Sequence, residues 1–428
     1  MTPTDSRRSV VPPYLLHAVA QAAEFPRAAS AARTALASLE AVQAPKRQHL
    51  VPPRSLTGTV DRSPQRTITD AHGTTTLPGA VVRREGDADT GDAAVDEAYA
   101  GLGATHAFWL DVFGRVSIDG AGLPLDATVH FGQDYDNAYW DGSRMVFGDG
   151  DDEVFRRFTI ALDVIGHELA HGVTQYTADL AYQGQSGALN ESISDVFGSL
   201  VAQYAAGQTA EQASWLIGQG LFTDAVHGDA LRSMRAPGTA YDDPVLGKDP
   251  QPATMADFVV TTDDAGGVHT NSGIPNHAFF LAATAIGGYA WQGAGAVWWD
   301  ALTSDAVTAS IDFAGFAAVT IDAAGVPVRR RFRGAHRGAG RLADGGRPRL
   351  RRSSATHRRT VGSMRIEVRR SGGFAGTTRH WRVDTDTSAD PAAWSEVVDA
   401  LPGPPRRRRP GRRSPTTSRG RSPSSARP

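Results

Sequence analysis

Two histidines four residues apart, with a glutamate beside the first, are the side chains in this sequence best placed to do chemistry. The run His167-Glu168-Leu169-Ala170-His171 fits the pattern H-E-x-x-H on a helix. An i, i+4 spacing puts both imidazoles on one helix face, where they can grip one cation. Glu168 lies near the same face and can hold a water beside the metal. Alone, the pattern also fits an exposed helix that happens to carry two histidines. A second run shifts the balance. In Asn190-Glu191-Ser192-Ile193-Ser194-Asp195, Glu191 stands twenty residues past His171. It completes a His, His, Glu donor set with a fourth position left for water, which is a catalytic rather than a structural zinc arrangement. Asp195, one turn past Glu191, is placed to accept a hydrogen bond from His167, and Asn190 to steady His171.

The elements that must position these groups follow from periodicity. ALDVIGHELAHGVTQYT and ALNESISDVFGSLVAQYAA carry apolar residues at helical spacing, and the chain from Phe155 to about Ala318 reads mainly helical. From Arg66 to about Asp151, short β-branched or aromatic runs alternate with Gly and Asp turns, as in VSIDGAGLPL, ATVHFG and RMVFGDGDD. One helix is expected within this region, over about Asp92–Asp111. Near the start, Pro12 and Pro13 precede a helix-prone run ending near Ala37. QAPKRQHLVPPRSLTG then reads as an exposed linker open to cleavage.

Composition excludes several functions. The 428 residues include no cysteine, so there is no disulfide framework, thiolate metal site or cysteine nucleophile. The weakly polar stretch Ala278–Trp291 is shorter than the ~20 residues of a membrane span. Two arginines near the N-terminus are followed by no continuous apolar run, so no ordinary secretory signal is visible. The net charge of −2 hides two halves. From Val328 onward 26 Arg face 7 acidic residues, a net +19; residues 1–327 hold 18 basic and 39 acidic groups, a net −21. The Arg-rich stretch past Asp322 has almost no apolar periodicity and cannot bury a core. Order returns over Met364–Leu401, with two alternating runs about a Gly turn and a short helix.

HELAH, NESISD and a later GGVHTNSG together resemble the thermolysin family of zinc endopeptidases, in order and over about Arg66–Ala318. VVPPYLL resembles the short propeptide of that family's protealysin-like branch. The resemblance implies an α+β, two-lobed metallopeptidase. Residues 1–65 would be propeptide and linker, 66–155 a β-rich lobe, and 156–325 a helical lobe, with the zinc helix between. It makes His167, His171 and Glu191 the ligands of one catalytic zinc and Glu168 the general base. Tyr182 and His269 would stabilise the oxyanion, and Asp264 would orient His269. Asn137 and Ala138 match the edge strand that pairs with substrate, and Arg232 an arginine that binds a substrate carbonyl. Phe155, Phe158, Val164, Ile217 and Leu231 match a pocket for the side chain after the cut bond. The implied reaction is hydrolysis of peptides and proteins on the amino side of bulky hydrophobic residues by a zymogen. Secretion by a route without a visible signal is expected, with a cytoplasmic location as the alternative.

The sequence departs from the family in two places. At positions matching the paired calcium site, which uses several carboxylates, Asp163 is kept but Ala202, Ser214 and Gln219 stand at others, so an intact double calcium site is not expected. After FAGFAAVTIDAA, relatives continue into a closing amphipathic helix, whereas this chain turns to GVPVRRRFRGAH. Residues 326–363 would then be a disordered Arg-rich linker. Residues 364–402 form a small α+β segment resembling the emfourin-like peptidase inhibitors, and 403–428 a disordered tail. Two alternative functions follow: a fusion in which 364–402 blocks the cleft in cis, and, ranked last, a nucleic-acid binder acting through the Arg tail. A frame change near Asp322–Gly325 accounts for the Arg-rich, Lys-free stretch. It predicts that another frame of the coding DNA encodes the closing helix before Met364, and translation of all frames tests this.

Overall fold

The computed structural model describes residues 9–41 and 61–325, and the backbone of 365–371 and 378–384. The N-terminal part forms two short helices, α1 (Pro13–Val19) and α2 (Pro26–Ala41), rather than the single run expected. Pro26 cannot continue a preceding helix but suits the first turn of a new one. Ala28, Ala32 and Ala35 recur at helical spacing on α2 and are fully buried. The N–H groups of Arg27 and Ala28 donate to the Glu153 carboxylate at 3.0 and 2.9 Å, which satisfies two orphan donors of α2.

Strands β1 (Arg66–Asp70), β2 (Ala80–Arg84), β3 (Leu125–Val129), β4 (Ala138–Trp140) and β5 (Met145–Phe147) form one sheet in the order β2-β1-β3-β5-β4. β4 is therefore an edge, paired only on its β5 side within the sheet. VSIDGAGLPL, expected as a strand, is instead a loop up to Pro124. Ser117, Gly120 and Gly122 adopt left-handed φ angles of 61°, 80° and 92°, which no strand accommodates. Helix α3 (Ala93–Phe113) packs on the sheet. Asp92 caps it through the N–H groups of Ala94 and Val95, and left-handed Gly114 ends it.

The zinc-motif helix α4 (Leu162–Gln175) and the NESISD helix α5 (Gly184–Ala206) cross at two glycines. A Cβ on Gly198 would lie 2.3 Å from the Asp163 carbonyl oxygen, and one on Gly166 3.0 Å from the Gly198 Cα. Only a side chain of a single hydrogen allows the backbones this close. Beyond α5, residues 207–263 hold only one 3-10 turn, Met255–Asp257, where mainly helix was expected. They carry four two-residue strands, β6 (Leu216–Ile217), β7 (Arg232–Ser233), β8 (Asp242–Asp243) and β9 (Gly247–Lys248), tied by aspartate side chains to backbone N–H groups. Helices α6 (Asp264–Asn271), α7 (Gly273–Ile286), α8 (Ala294–Leu302) and α9 (Phe313–Gly325) complete the helical lobe. One apolar cluster runs from Val10 through the sheet lobe and the α4–α5 crossing to Phe316.

Strands β10 (Arg365–Ser371) and β11 (Thr378–Asp384) pair antiparallel, with Ile366 opposite Val383 and Val368 opposite Trp381. They match the two alternating runs read in the sequence. The expected Gly turn and short helix of that segment lie outside the described residues. So do the cleavage-prone linker, the Arg-rich stretch and the tail.

His130 ties α3 to the sheet lobe. Its Nδ1 lies 2.8 Å from Asp149 and its Nε2 3.1 Å from the cap residue Asp92. Hydrogen bonding to Asp149, with the Asp92 charge adding, raises its pKa to about 9 against the cost of burial. A raised pKa means that the charged imidazole stabilises the fold fully below its unfolded value, about 6.5, and that the gain is lost as pH rises through about 9. His130→Asn, which tolerates the local φ of 52°, should therefore lower stability by about 1 kcal/mol at pH 6, the figure being reduced because both carboxylates are partly solvated. Thermal unfolding of the two proteins should converge above pH 9.5 or so.

Candidate metal centre and cleft

The α4–α5 crossing sets two histidines against one carboxylate. His167 Nε2 lies 3.5 Å from Glu191 Oε2, and His171 Nε2 3.4 Å from Glu191 Oε1. All three side chains are buried, and their donor atoms lie within 4.8 Å of one another. His167 Nε2 has no hydrogen-bond partner. A buried, unpartnered imidazole nitrogen is costly unless something binds it. The other ring nitrogen of each histidine is held. His167 Nδ1 bonds Asp195 at 2.8 Å; His171 Nδ1 bonds Asn190 at 2.8 Å and Ser194 at 3.0 Å. Both Nε2 atoms are thus left as acceptors for a cation. Two imidazole nitrogens and a carboxylate form a donor set that suits zinc.

Asp195 serves a second residue as well. Arg232 Nε and Nη2 reach its two oxygens at 2.9 and 2.8 Å, and Asn276 Nδ2 donates to it at 2.8 Å. Burial disfavours its charge, but Arg232 and His167 outweigh that and hold its carboxyl well below the usual range.

Across the cleft, Asp264 and Ala265 take left-handed φ angles of 50° and 49°, followed by Gly266 and Gly267 at 86° and 77°. This strained turn folds the Asp264 carboxylate back under His269. Asp264 accepts from the His269 N–H at 2.8 Å and bonds its Nδ1 at 2.6 Å. Burial opposes charge on His269, yet Glu191 and Asp264 raise its pKa to about 9. Tyr182 Oη lies 3.4 Å from His269 Nε2 and 2.5 Å from Glu191 Oε1. Glu168 Oε2 accepts the Trp140 N–H of edge strand β4 at 2.9 Å.

The cleft is filled by the chain's own residues 9–11. His269 Nε2 lies 3.0 Å from the Ser9 carbonyl oxygen. The Val10 N–H donates to the Ala138 carbonyl at 3.2 Å, and the Val10 carbonyl accepts from Arg232 Nη1 at 2.8 Å. The Val11 N–H donates to Asn137 Oδ1 at 3.1 Å.

Descriptions of the thermolysin metallopeptidase catalytic domain and alpha-helical domain match residues 54–175 and 178–328. An extracellular metalloprotease of Pectobacterium carotovorum is 52% identical over 313 residues, 73% of this chain and 89% of that one. The chain belongs to the thermolysin family of metallopeptidases. An extracellular minor metalloprotease of Serratia marcescens is 44% identical over 296 residues, 67% of this chain and 80% of that one. The solved precursor of protealysin, a metalloproteinase from Serratia proteamaculans, matches with a TM-score of 0.67 and 53% identity, over 74% of this chain and 92% of that one. As a thermolysin-family enzyme the chain is a zinc metallopeptidase of two lobes, and His167, His171 and Glu191 are placed to hold the zinc.

The structure brings the expected polar site residues together around the metal-site side chains and residues 9–11, while the five expected pocket residues lie in the apolar core. Phe155, Phe158, Val164, Ile217 and Leu231 are fully buried. Of the calcium-site positions, Asp163 is buried and accepts the Gly218 N–H at 2.7 Å, while Ser214 and Gln219 are exposed. Three contributors went unread. Ser194 stands four residues past Asn190, so helical spacing alone could have found it. Asn276 and Gln251, whose Nε2 donates to the His269 carbonyl at 2.7 Å, are far away in sequence and carry no local signal. Asn190 steadies His171 while its Nδ2 donates to the Leu180 carbonyl at 3.1 Å; Asn190→Ala is expected to weaken zinc binding about tenfold, measured by competition with a chromogenic chelator.

Proposed function

We propose that the protein is a zymogen of a neutral endopeptidase, blocked by its own N-terminal segment, which hydrolyses peptide bonds on the amino side of bulky hydrophobic residues. The observation that carries this is the alignment of residues 9–11 along the groups a substrate would use. Each polar backbone atom from the Ser9 carbonyl to the Val11 N–H meets one of His269, Ala138, Arg232 or Asn137. An extended peptide added to edge strand β4 is the expected binding mode. The occupant of the described cleft is thus the N-terminal segment, which favours it as the inhibitory part over the 364–402 segment.

Bound zinc would supply a Lewis acid that lowers the pKa of water and polarises the scissile carbonyl. Glu168, fixed by the Trp140 N–H, takes a proton from the attacking water and passes it to the leaving amine. His269 and Tyr182 donate to the carbonyl oxygen as negative charge develops there. Asp264 keeps the His269 Nε2–H pointing at that oxygen. Arg232 and Asn137 hold the chain on the leaving side, and the Phe155, Phe158, Val164, Ile217 and Leu231 patch takes the apolar side chain. Removal of residues up to about 65 would open the cleft. Action outside the cell is proposed from the relatives named extracellular.

Casein hydrolysis by the matured protein should stop on zinc chelation and return with zinc. Glu168→Gln should lower kcat about 100- to 10,000-fold. Sequencing of the peptide products should show Leu, Phe, Ile or Val at the new N-termini. Activity that survives chelation would overturn the proposal.

A further inference from the structure

The inhibitory segment lies in the cleft in the register of a substrate, with a complete peptide bond at the reacting position. We propose that the protein hydrolyses its own Ser9–Val10 bond within the same molecule and retains the part from Val10 to Ala41 as a plug. This rests on the endopeptidase reading above.

A bond to be cut must place its carbonyl oxygen at the oxyanion donors and its amide nitrogen toward the edge strand. Ser9 offers its carbonyl to His269 Nε2 at 3.0 Å, and that nitrogen is 3.4 Å from the metal-site atom Glu191 Oε2. Ser9 also bridges Tyr139 of β4 in antiparallel sense. One residue on, Val10 pins both its N–H and its carbonyl, to Ala138 and Arg232. The Ser9–Val10 bond is therefore held on both sides. A shift by one residue would break the contacts of Ser9, Val10 and Val11 together. Val10 is apolar and fully buried, as a hydrophobic residue after the cut bond should be. Neither Ser9 nor Val10 is proline. The first proline after the bond is Pro12, in extended conformation, and with Pro13 it stiffens the chain beyond the reacting bond.

The balance is that of hydrolysis. The water oxygen joins the Ser9 carbonyl carbon, and the bond to the Val10 nitrogen breaks. At neutral pH both water hydrogens end on that nitrogen, giving a Ser9 carboxylate and a Val10 ammonium. The cut removes no anchor on the leaving side. Val10, Val11, Leu15, Leu16, Val19, Ala28, Ala32 and Ala35 stay buried, and Glu153 still caps α2. The product end remains in the cleft, so trimming precedes activation without causing it.

The test uses the full chain loaded with zinc, read by intact mass and N-terminal sequencing. Half of each sample is also nicked lightly with trypsin, which can cut at Lys46, Arg47 or Arg54, and assayed on casein. The expected result is loss of the residues up to Ser9, with a new N-terminus at Val10. The rate should be unchanged by tenfold dilution, and casein should remain uncut before the nick. Val10→Asp should slow the cut about 100-fold yet leave casein hydrolysis after the nick unchanged. Val10→Leu should retain the cut at the same bond. Glu168→Gln should abolish it. An intact N-terminus in a preparation whose nicked form digests casein would overturn this inference and leave the endopeptidase reading standing. A first cut at another bond, or a rate that falls with dilution, would equally overturn it. Failure of both reactions would overturn the endopeptidase reading, and this inference with it.

Discussion

The close crossing of α4 and α5 is the constraint on which the rest depends. Gly166 and Gly198 let two helix backbones approach until the Glu191 carboxylate reaches both imidazoles. A larger side chain at Gly198 would meet the Asp163 carbonyl at 2.3 Å and push the helices apart. Metal donors tolerate little such displacement, because coordination distances are fixed to within tenths of an ångström. The apolar cluster around the crossing serves geometry as much as stability: Val164, Leu169, Ile193, Val196 and Leu200 are buried there and hold the two helices in one arrangement.

A chain of buried polar contacts extends that geometry outward. Asp195 bonds the zinc-site His167, the carbonyl-binding Arg232 and Asn276 at once. Burying such ions is costly, and similar networks elsewhere add little net stability. Here the network links the orientation of a metal ligand to the orientation of the arginine that holds the peptide. On the opposite wall, the strained turn at Asp264–Gly267 does the same for His269. The backbone strain is offset by the ion pair and by the amide hydrogen bond it permits.

The N-terminal segment exploits the same groups. An extended peptide needs its N–H and carbonyl groups satisfied when it leaves water, and the cleft walls offer partners in the spacing of a strand. Under the proposed function, autoinhibition and substrate recognition would be one set of hydrogen bonds. What distinguishes the segment from a passing peptide is its second anchorage, where α1 and α2 bury apolar residues and Glu153 closes the α2 N-terminus.

Local spacing in the sequence was enough to place the metal-ligand candidates on common helix faces, and their meeting was left to the crossing of α4 and α5. His167 and His171 share a face because helices repeat every 3.6 residues, and Asn190, Glu191 and Asp195 share one on the next helix for the same reason. The helix after Asp92 was legible from its pattern, and the edge strand and the two-lobed fold through resemblance carried by ordered motifs rather than periodicity. Local pattern misled where turn chemistry overrode it. VSIDGAGLPL alternates like a strand but breaks on left-handed Ser117, Gly120 and Gly122, and residues 207–263 are held by aspartate side chains in place of helices. Tertiary structure alone decided that Asn276 and Gln251 support the site, that Arg232 and His167 share Asp195, and that Ser9–Val11 fills the cleft in register. Those contacts join residues 18 to 260 positions apart, and no periodicity of a helix or strand reaches that far.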